Sequence, residues 1–199
     1  GTLEIGGAGT LGSGGSYAGN ISNSGTFSVN SSAAQTLSGV ISGSGALLKD
    51  NSGALTLSGA NTYTGATTIE GGTLILGAGG TTGSLSTSSS ITNNGTLVFD
   101  RSNAITQGAD FASGISGTGA LTKNGSGTLT LSGTNTYSGG TTLNAGTLVI
   151  GNVAAAGTGT ITQSSGSSLL RFETTGTVTN GLHVYNVGTT QTITIGGAI

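Results

Sequence analysis

The sequence predicts an all-β chain wound as a parallel β-helix, a β-solenoid of about eight to nine coils. Three observations predict it: a composition hostile to helix, a long internal repeat, and short alternating strands that start at glycine every 19–32 residues.

Composition narrows the field first. Of 199 residues, 41 are Gly, 36 Thr, 27 Ser and 14 Asn, so these four types fill 118 positions. All four are poor helix formers, which argues against a helical domain. Gly follows no three-residue period and Pro is absent, so collagen is excluded. Disordered chains are usually charged and poor in β-branched residues, and this one is weakly charged and rich in Thr, Ile and Val. With no Cys there is no disulfide framework, no Cys-ligated zinc and no thiol nucleophile. A net charge of −2 with four Lys and Arg offers no footprint for nucleic acid or an anionic membrane. No stretch reaches the roughly 18 apolar residues of a membrane span. The absence of Cys in so Ser/Thr-rich a chain fits an exported bacterial surface protein.

The repeat organises the chain. Residues 41–78 and 115–152 align without gaps at an offset of 74, with 24 of 38 positions identical. Ile21-Ser-Asn-Ser-Gly-Thr-Phe matches Ile91-Thr-Asn-Asn-Gly-Thr-Leu at an offset of 70. Gly1-Thr-Leu-Glu-Ile-Gly matches the Gly72 and Gly146 strands, and the closing stretch from Gln191 resembles that from Gln35. The reading is one solenoid segment over 1–199, two full repeats, and degenerate coils between and beside them. It expects the segment to belong to a longer array, or to stack end to end with identical copies.

Gly-Thr-Leu-like strands start at Gly1, Gly25, Gly53, Gly72, Gly95, Gly127 and Gly146, with a degenerate one near Gly166. Each alternates. Leu129 and Leu131 share a face opposite Thr128 and Thr130. The pairs Leu148/Ile150, Leu74/Leu76 and Leu55/Leu57 repeat the pattern, which is the half-buried strand signal. Short coils cannot bury an apolar face alone and must stack. At ~4.8 Å per coil the rod is roughly 40 Å long. Glycines supply the turns, Asn at turns stacks from coil to coil, and Thr and Ser face water. Stacking makes nearly every strand central, which accounts for the missing Pro.

The stretch 119–151, which reads Leu-Thr-Lys-Asn-Gly-Ser-Gly-Thr-Leu-Thr-Leu-Ser-Gly-Thr-Asn-Thr-Tyr-Ser-Gly from Leu121 and ends Gly-Thr-Leu-Val-Ile-Gly, resembles the autotransporter-associated β-strand repeat of type V secretion passenger domains. Residues 45–77 carry a second copy with Lys49-Asp50-Asn51 in place of Lys-x-Gly. The full motif covers about a third of the chain. The resemblance implies a right-handed parallel β-helix, export across the outer membrane and exposure at the cell surface or release. It implies no chemistry. The positions it marks are Leu55, Leu57, Asn61, Tyr63, Leu74 and Leu76, and their counterparts Leu129, Leu131, Asn135, Tyr137, Leu148 and Ile150.

A search for chemistry finds little. The carboxylates are Glu4, Asp50, Glu70, Asp100, Asp110 and Glu173. Only Asp100, Arg101 and Asp110 cluster, and they read as solvated loop charges, Asp100 and Arg101 neutralising each other, ahead of an acidic or calcium site. Lys49 and Lys123 occupy equivalent positions and read as outward charges that discourage lateral pairing. His183 has no His or Cys neighbour, so neither a metal site nor a Ser-His-Asp triad can be built on it. Tyr63 and Tyr137 read as rings covering coil corners, with a sugar-binding row as the alternative. The Gly-rich runs lack the Gly-Lys-Ser/Thr ending and the helix of a phosphate loop. Thr160-Ile-Thr and Thr192-Ile-Thr are too isolated for an ice-binding array. The expectation is a structural stalk or passenger segment without cofactor or catalytic site. Its alternative is an adhesive or self-associating module that meets glycans or neighbouring cells.

Overall fold

A strand with one apolar face has no partner within its own short coil, so it pairs with the next turn of chain. In the computed structural model every paired strand has a parallel neighbour, and there is no helix among the described residues, which are 1–165 and 167–184 with the backbone of Ile193–Ile195. The coil has three faces. The first stacks Thr2–Gly7, Thr26–Ser31, Ala46–Asp50, Thr67–Ile69, Ile91–Asn93 and Ile115–Ser116. The second stacks nine strands, from Ser16–Tyr17 through Ala54–Leu57, Thr73–Leu76, Thr96–Phe99, Ala120–Lys123 and Thr141–Leu143 to Leu182–Val184. The third starts with Ile21–Ser22 on Ile41–Ser42 and ends with Ile105–Thr106, Thr128–Leu131, Thr147–Ile150, Leu169–Phe172 and Ile193–Ile195. The degenerate strand start at Gly166 and the side chains from Gln191 onward, Thr192 included, lie outside the described residues.

Register is held by like side chains. Leu55, Leu74, Leu97 and Leu121 lie opposite one another in consecutive coils, each 0% exposed. The marked leucines and Ile150 are all buried in one continuous core. Outside, Thr36 and Thr56, then Thr122, Thr142 and Thr162, form one in-register column broken by Ile75 and Val98. That column runs across coils, so no Thr-x-Thr spacing along a strand announces it.

The glycine-led strands do not form one column. Those after Gly1 and Gly25 lie on the first face, those after Gly53, Gly72 and Gly95 on the second, and those after Gly127 and Gly146 on the third. Strand-to-strand register is 19 residues at its shortest, Leu55 to Leu74, and 24 at its longest, Thr2 to Thr26. The 32-residue spacing from Gly95 to Gly127 is therefore one coil, Thr96 to Ala120, plus a step of eight to the next face at Thr128. The strands Ala120–Lys123 and Thr128–Leu131, separated by a short Gly turn, are neighbours around the coil and do not pair.

The 74-residue repeat acquires a geometric meaning. Ala54–Leu57 lies on the second face and its counterpart Thr128–Leu131 on the third. Ala46–Asp50 and Ala120–Lys123 differ by the same step. One repeat thus advances three coils and one face.

Corners need glycine where coils touch. A Cβ on Gly59 would stand 2.1 Å from the Gly39 carbonyl oxygen, and one on its counterpart Gly133 would stand 2.0 Å from that of Ser113. No rotamer relieves a clash with backbone. Gly133→Ala is expected to destabilise the fold by about 3 kcal/mol. A shift of the denaturation midpoint equivalent to less than about 1 kcal/mol would show that these coils can move apart.

Candidate functional site

Chain turning a corner leaves the ladder, and carbonyls there point inward without a strand partner. Buried peptide oxygens left bare are costly. The structure meets them with inward side-chain donors. Gln35 Nε2 donates to Leu11 O, and Gln163 Nε2 to Ser168 O. Asn23 and Asn93 add bonds to Ala46 O (2.9 Å) and Ala120 O (2.8 Å), strand residues in register with Thr26 and Thr96, and Gln35 adds one to Gly15 O, which already takes the Thr36 N–H.

The repeat lysines belong to this set, which corrects the outward reading. Lys49 is 0% exposed and Lys123 1%. Lys49 Nζ donates to Asp50 O at 2.5 Å, Asn51 O at 2.8 Å and, in the next coil, Gly71 O at 3.2 Å. Lys123 Nζ donates to Gly125 O and, in the next coil, to Ala145 O at 3.2 Å. Strand parity forces this placement. Lys49 follows Leu47 by two residues and Lys123 follows Leu121 by two, so each shares the leucine's inward face. Burial pushes both ammonium pKa values below the usual lysine range, opposed in part by Asp50 and Asp100 respectively.

Arg101 is also buried, 8% exposed, and it does not neutralise Asp100. Its guanidinium donates to Thr81 O at 2.5 Å and Gly83 O at 3.1 Å, with Nε to Asn103 Oδ1. The single ion pair among the described residues joins Arg171 and Glu173 on the surface. Asp110 accepts the Thr106 N–H at 2.7 Å. Asp100, Arg101 and Asp110 therefore do not converge on a site.

The Asn-Thr-Tyr segments lock three coils together. Asn61 Oδ1 accepts the Ile41 N–H of the preceding coil at 2.9 Å, and its Nδ2 donates to Ser84 O of the following one at 3.0 Å. Asn135 does the same with Ile115 N and Ala155 O, and adds a reciprocal amide pair with Gln107. Tyr63 and Tyr137 are 0% exposed, so neither ring can stack on a sugar. Tyr63 OH bonds Thr67 Oγ1 at 2.7 Å, and Thr67 Oγ1 bonds Ser89 Oγ in the next coil. Tyr137 OH bonds Thr141 Oγ1 at 2.6 Å, and Thr141 Oγ1 donates to Ala156 O. Outside, Asn124, Asn144 and Ser164 form an exposed ladder, and Glu70 accepts from Asn94. His183 is exposed at the end of the second face, opposite Thr162. Among the described residues no three His, Cys, Asp or Glu side chains gather.

What the geometry defines is an internally braced β-solenoid whose polar side chains serve its own backbone. Residues 47–76 and 121–150 match the family model described as the passenger-associated-transport-repeat, in agreement with the autotransporter passenger repeat that the motif resembles. No curated protein and no solved structure matches the chain. Each matched stretch covers one full coil and two faces of the next, so it contains its own strand pairing. Leu47 pairs with Thr67 and Leu55 with Leu74 in one, Leu121 with Thr141 and Leu129 with Leu148 in the other.

Two pH effects of opposite sign follow. Because folding lowers the lysine pKa values, the unfolded chain holds more protons between those values and 10.5, and stability rises with pH across that window. Burial raises the phenol pKa of Tyr63 and Tyr137, partly opposed by Thr67 and Thr141. The unfolded chain then ionises first, and stability falls as pH passes the usual tyrosine value of 10.0. Urea denaturation across the alkaline range is expected to show the rise and then the fall. The double variant Tyr63→Phe, Tyr137→Phe is expected to flatten the fall, and an unchanged fall would assign it to other groups.

Proposed function

We propose that the chain is a scaffold segment, a β-helical stalk or passenger portion of an autotransporter-like protein exported to the bacterial cell surface or released, and not a catalyst. One observation carries the reading: the repeat's basic side chains and phenols are committed to the interior, and the carboxylates left outside gather at no site among the described residues. Three of the four Lys and Arg residues, Lys49, Arg101 and Lys123, cap backbone carbonyls, and both repeat tyrosines are buried. The passenger-associated repeats support export, and nine stacked rungs support a spacer roughly 40 Å long.

Repeat and geometry together give the test. Deleting residues 41–114 removes one repeat period and joins Val40 to Ile115, the counterpart of Ile41. The shortened chain is expected to keep its β circular dichroism and cooperative unfolding, and to place a reporter at its tip about 16 Å nearer its anchor. An unfolded or aggregated product would defeat the modular spacer reading.

As a second reading we propose association with identical copies or neighbouring repeats. Sedimentation should then show concentration-dependent assembly, and monomer at all concentrations would sink it. We propose adhesion to glycans or neighbouring cells as the alternative use of the exposed Thr and Ser surface, read out by whole-cell binding with and without the segment.

A further inference from the structure

We propose that each repeat corner is a backbone-built cation cage whose resident cation is the protein's own lysine ammonium. The walls are carbonyl oxygens. At the first corner they come from Asp50, Asn51 and Gly71, at the second from Gly125 and Ala145. Two wall atoms are equivalent in the copies: the carbonyl two residues after the lysine and the carbonyl 22 residues after it. Among the described residues the carbonyls of Asn51, Gly71, Gly125 and Ala145 accept no backbone N–H, so the ammonium is their donor. Among the described residues no carboxylate lies within ion-pairing distance of either Nζ.

A glycine closes each cage. Gly72 and Gly146 have positive φ, and a Cβ there would stand 2.3 Å from Asn51 O and 2.9 Å from Lys49 Nζ, or 2.5 Å from Gly125 O. The two cages lie on corners a third of a turn apart, so the same oxygen set forms in two different surroundings. Arg101 fills a comparable pair of carbonyls between the Thr81 and Asn103 coils. Converging neutral oxygens of this kind take a small monovalent cation, best one that carries several N–H donors. Because the ammonium touches carbonyls of two successive coils, it ties them along the axis and is withdrawn from solvent amine chemistry while they stay stacked.

Chemical rescue tests the assignment. Lys123→Met keeps apolar packing without a donor and is expected to lower the melting temperature by about 5 °C or more. Lys123→Ala opens room for Cγ to Nζ, the size of n-propylammonium. That cation should raise the variant's melting temperature above its value in equal tetramethylammonium, which has the charge but no N–H, while wild type responds alike to both. A Met variant as stable as wild type, or no preference for n-propylammonium, overturns the cage. Amine-ester labelling of intact wild type decides the matter where the Ala variant fails to fold. Lys49 and Lys123 should react at least about tenfold more slowly in the folded chain than in the urea-unfolded chain. Equal reactivity would overturn the assignment.

Discussion

The structure depends on finding a partner for every peptide group that leaves the ladder at a corner. Along the faces the problem is solved by parallel pairing in register, since alternate residues of each strand bond the coil before and the coil after. At the corners the chain turns, its carbonyls aim inward, and no neighbouring N–H meets them. The cost of an unmet buried carbonyl, of order 1–3 kcal/mol, would recur in every coil. Gln35, Lys49, Arg101, Lys123 and Gln163 answer it from inside. A composition with few charges is therefore not short of polar function. Its few long donors are placed where only a long donor reaches two coils.

The same constraint explains why the repeat has the length it has. A unit that must bridge to the next coil has to contain a coil and part of another, which is what 47–76 and 121–150 contain. Within one unit the lysine bridges forward and Tyr63 bonds Thr67, while Asn61 and Thr67 reach beyond its ends to Ile41, Ser84 and Ser89. Deleting half a unit would leave these bonds without their second coil. Energetically this is a one-dimensional stack in which each rung is stabilised by its neighbours, and the repeat carries its own neighbour with it.

Much of this was legible before any coordinates. Alternation placed the leucines, and glycine spacing counted the coils. What alternation could not give was the face. Strands after Gly95 and Gly127 look equivalent in sequence, and only pairing shows that one lies on the second face and the other on the third. The lysines differ from the outward expectation for another reason. Parity with Leu47 and Leu121 points them inward, and the charge is tolerated there because corner carbonyls solvate the ammonium. Arg101 was paired with the wrong chemistry on the same ground, its sequence neighbour Asp100 being less important than carbonyls 18 and 20 residues away. Gln35, Gln107 and Gln163 gave no signal beyond their position on an apolar strand face.

The one-face advance per repeat bears on what such a rod can present. Were 74 residues a whole number of coils, equivalent outward positions such as Asp50 and Asn124, or Glu70 and Asn144, would line up as a row and could be read by a periodic ligand. Instead the second copy is turned by a third of the circumference, so its surface differences are spread around the rod. The interior does not care about this rotation, since Leu55 on Leu74 and Leu129 on Leu148 make the same contact on different faces. Selection of this repeat length by the outside would favour a row, whereas the inside constrains only local stacking. The observed step satisfies stacking and forgoes the row, which places the information content of the repeat in the core and corners and leaves the outer Thr and Ser faces to vary from coil to coil.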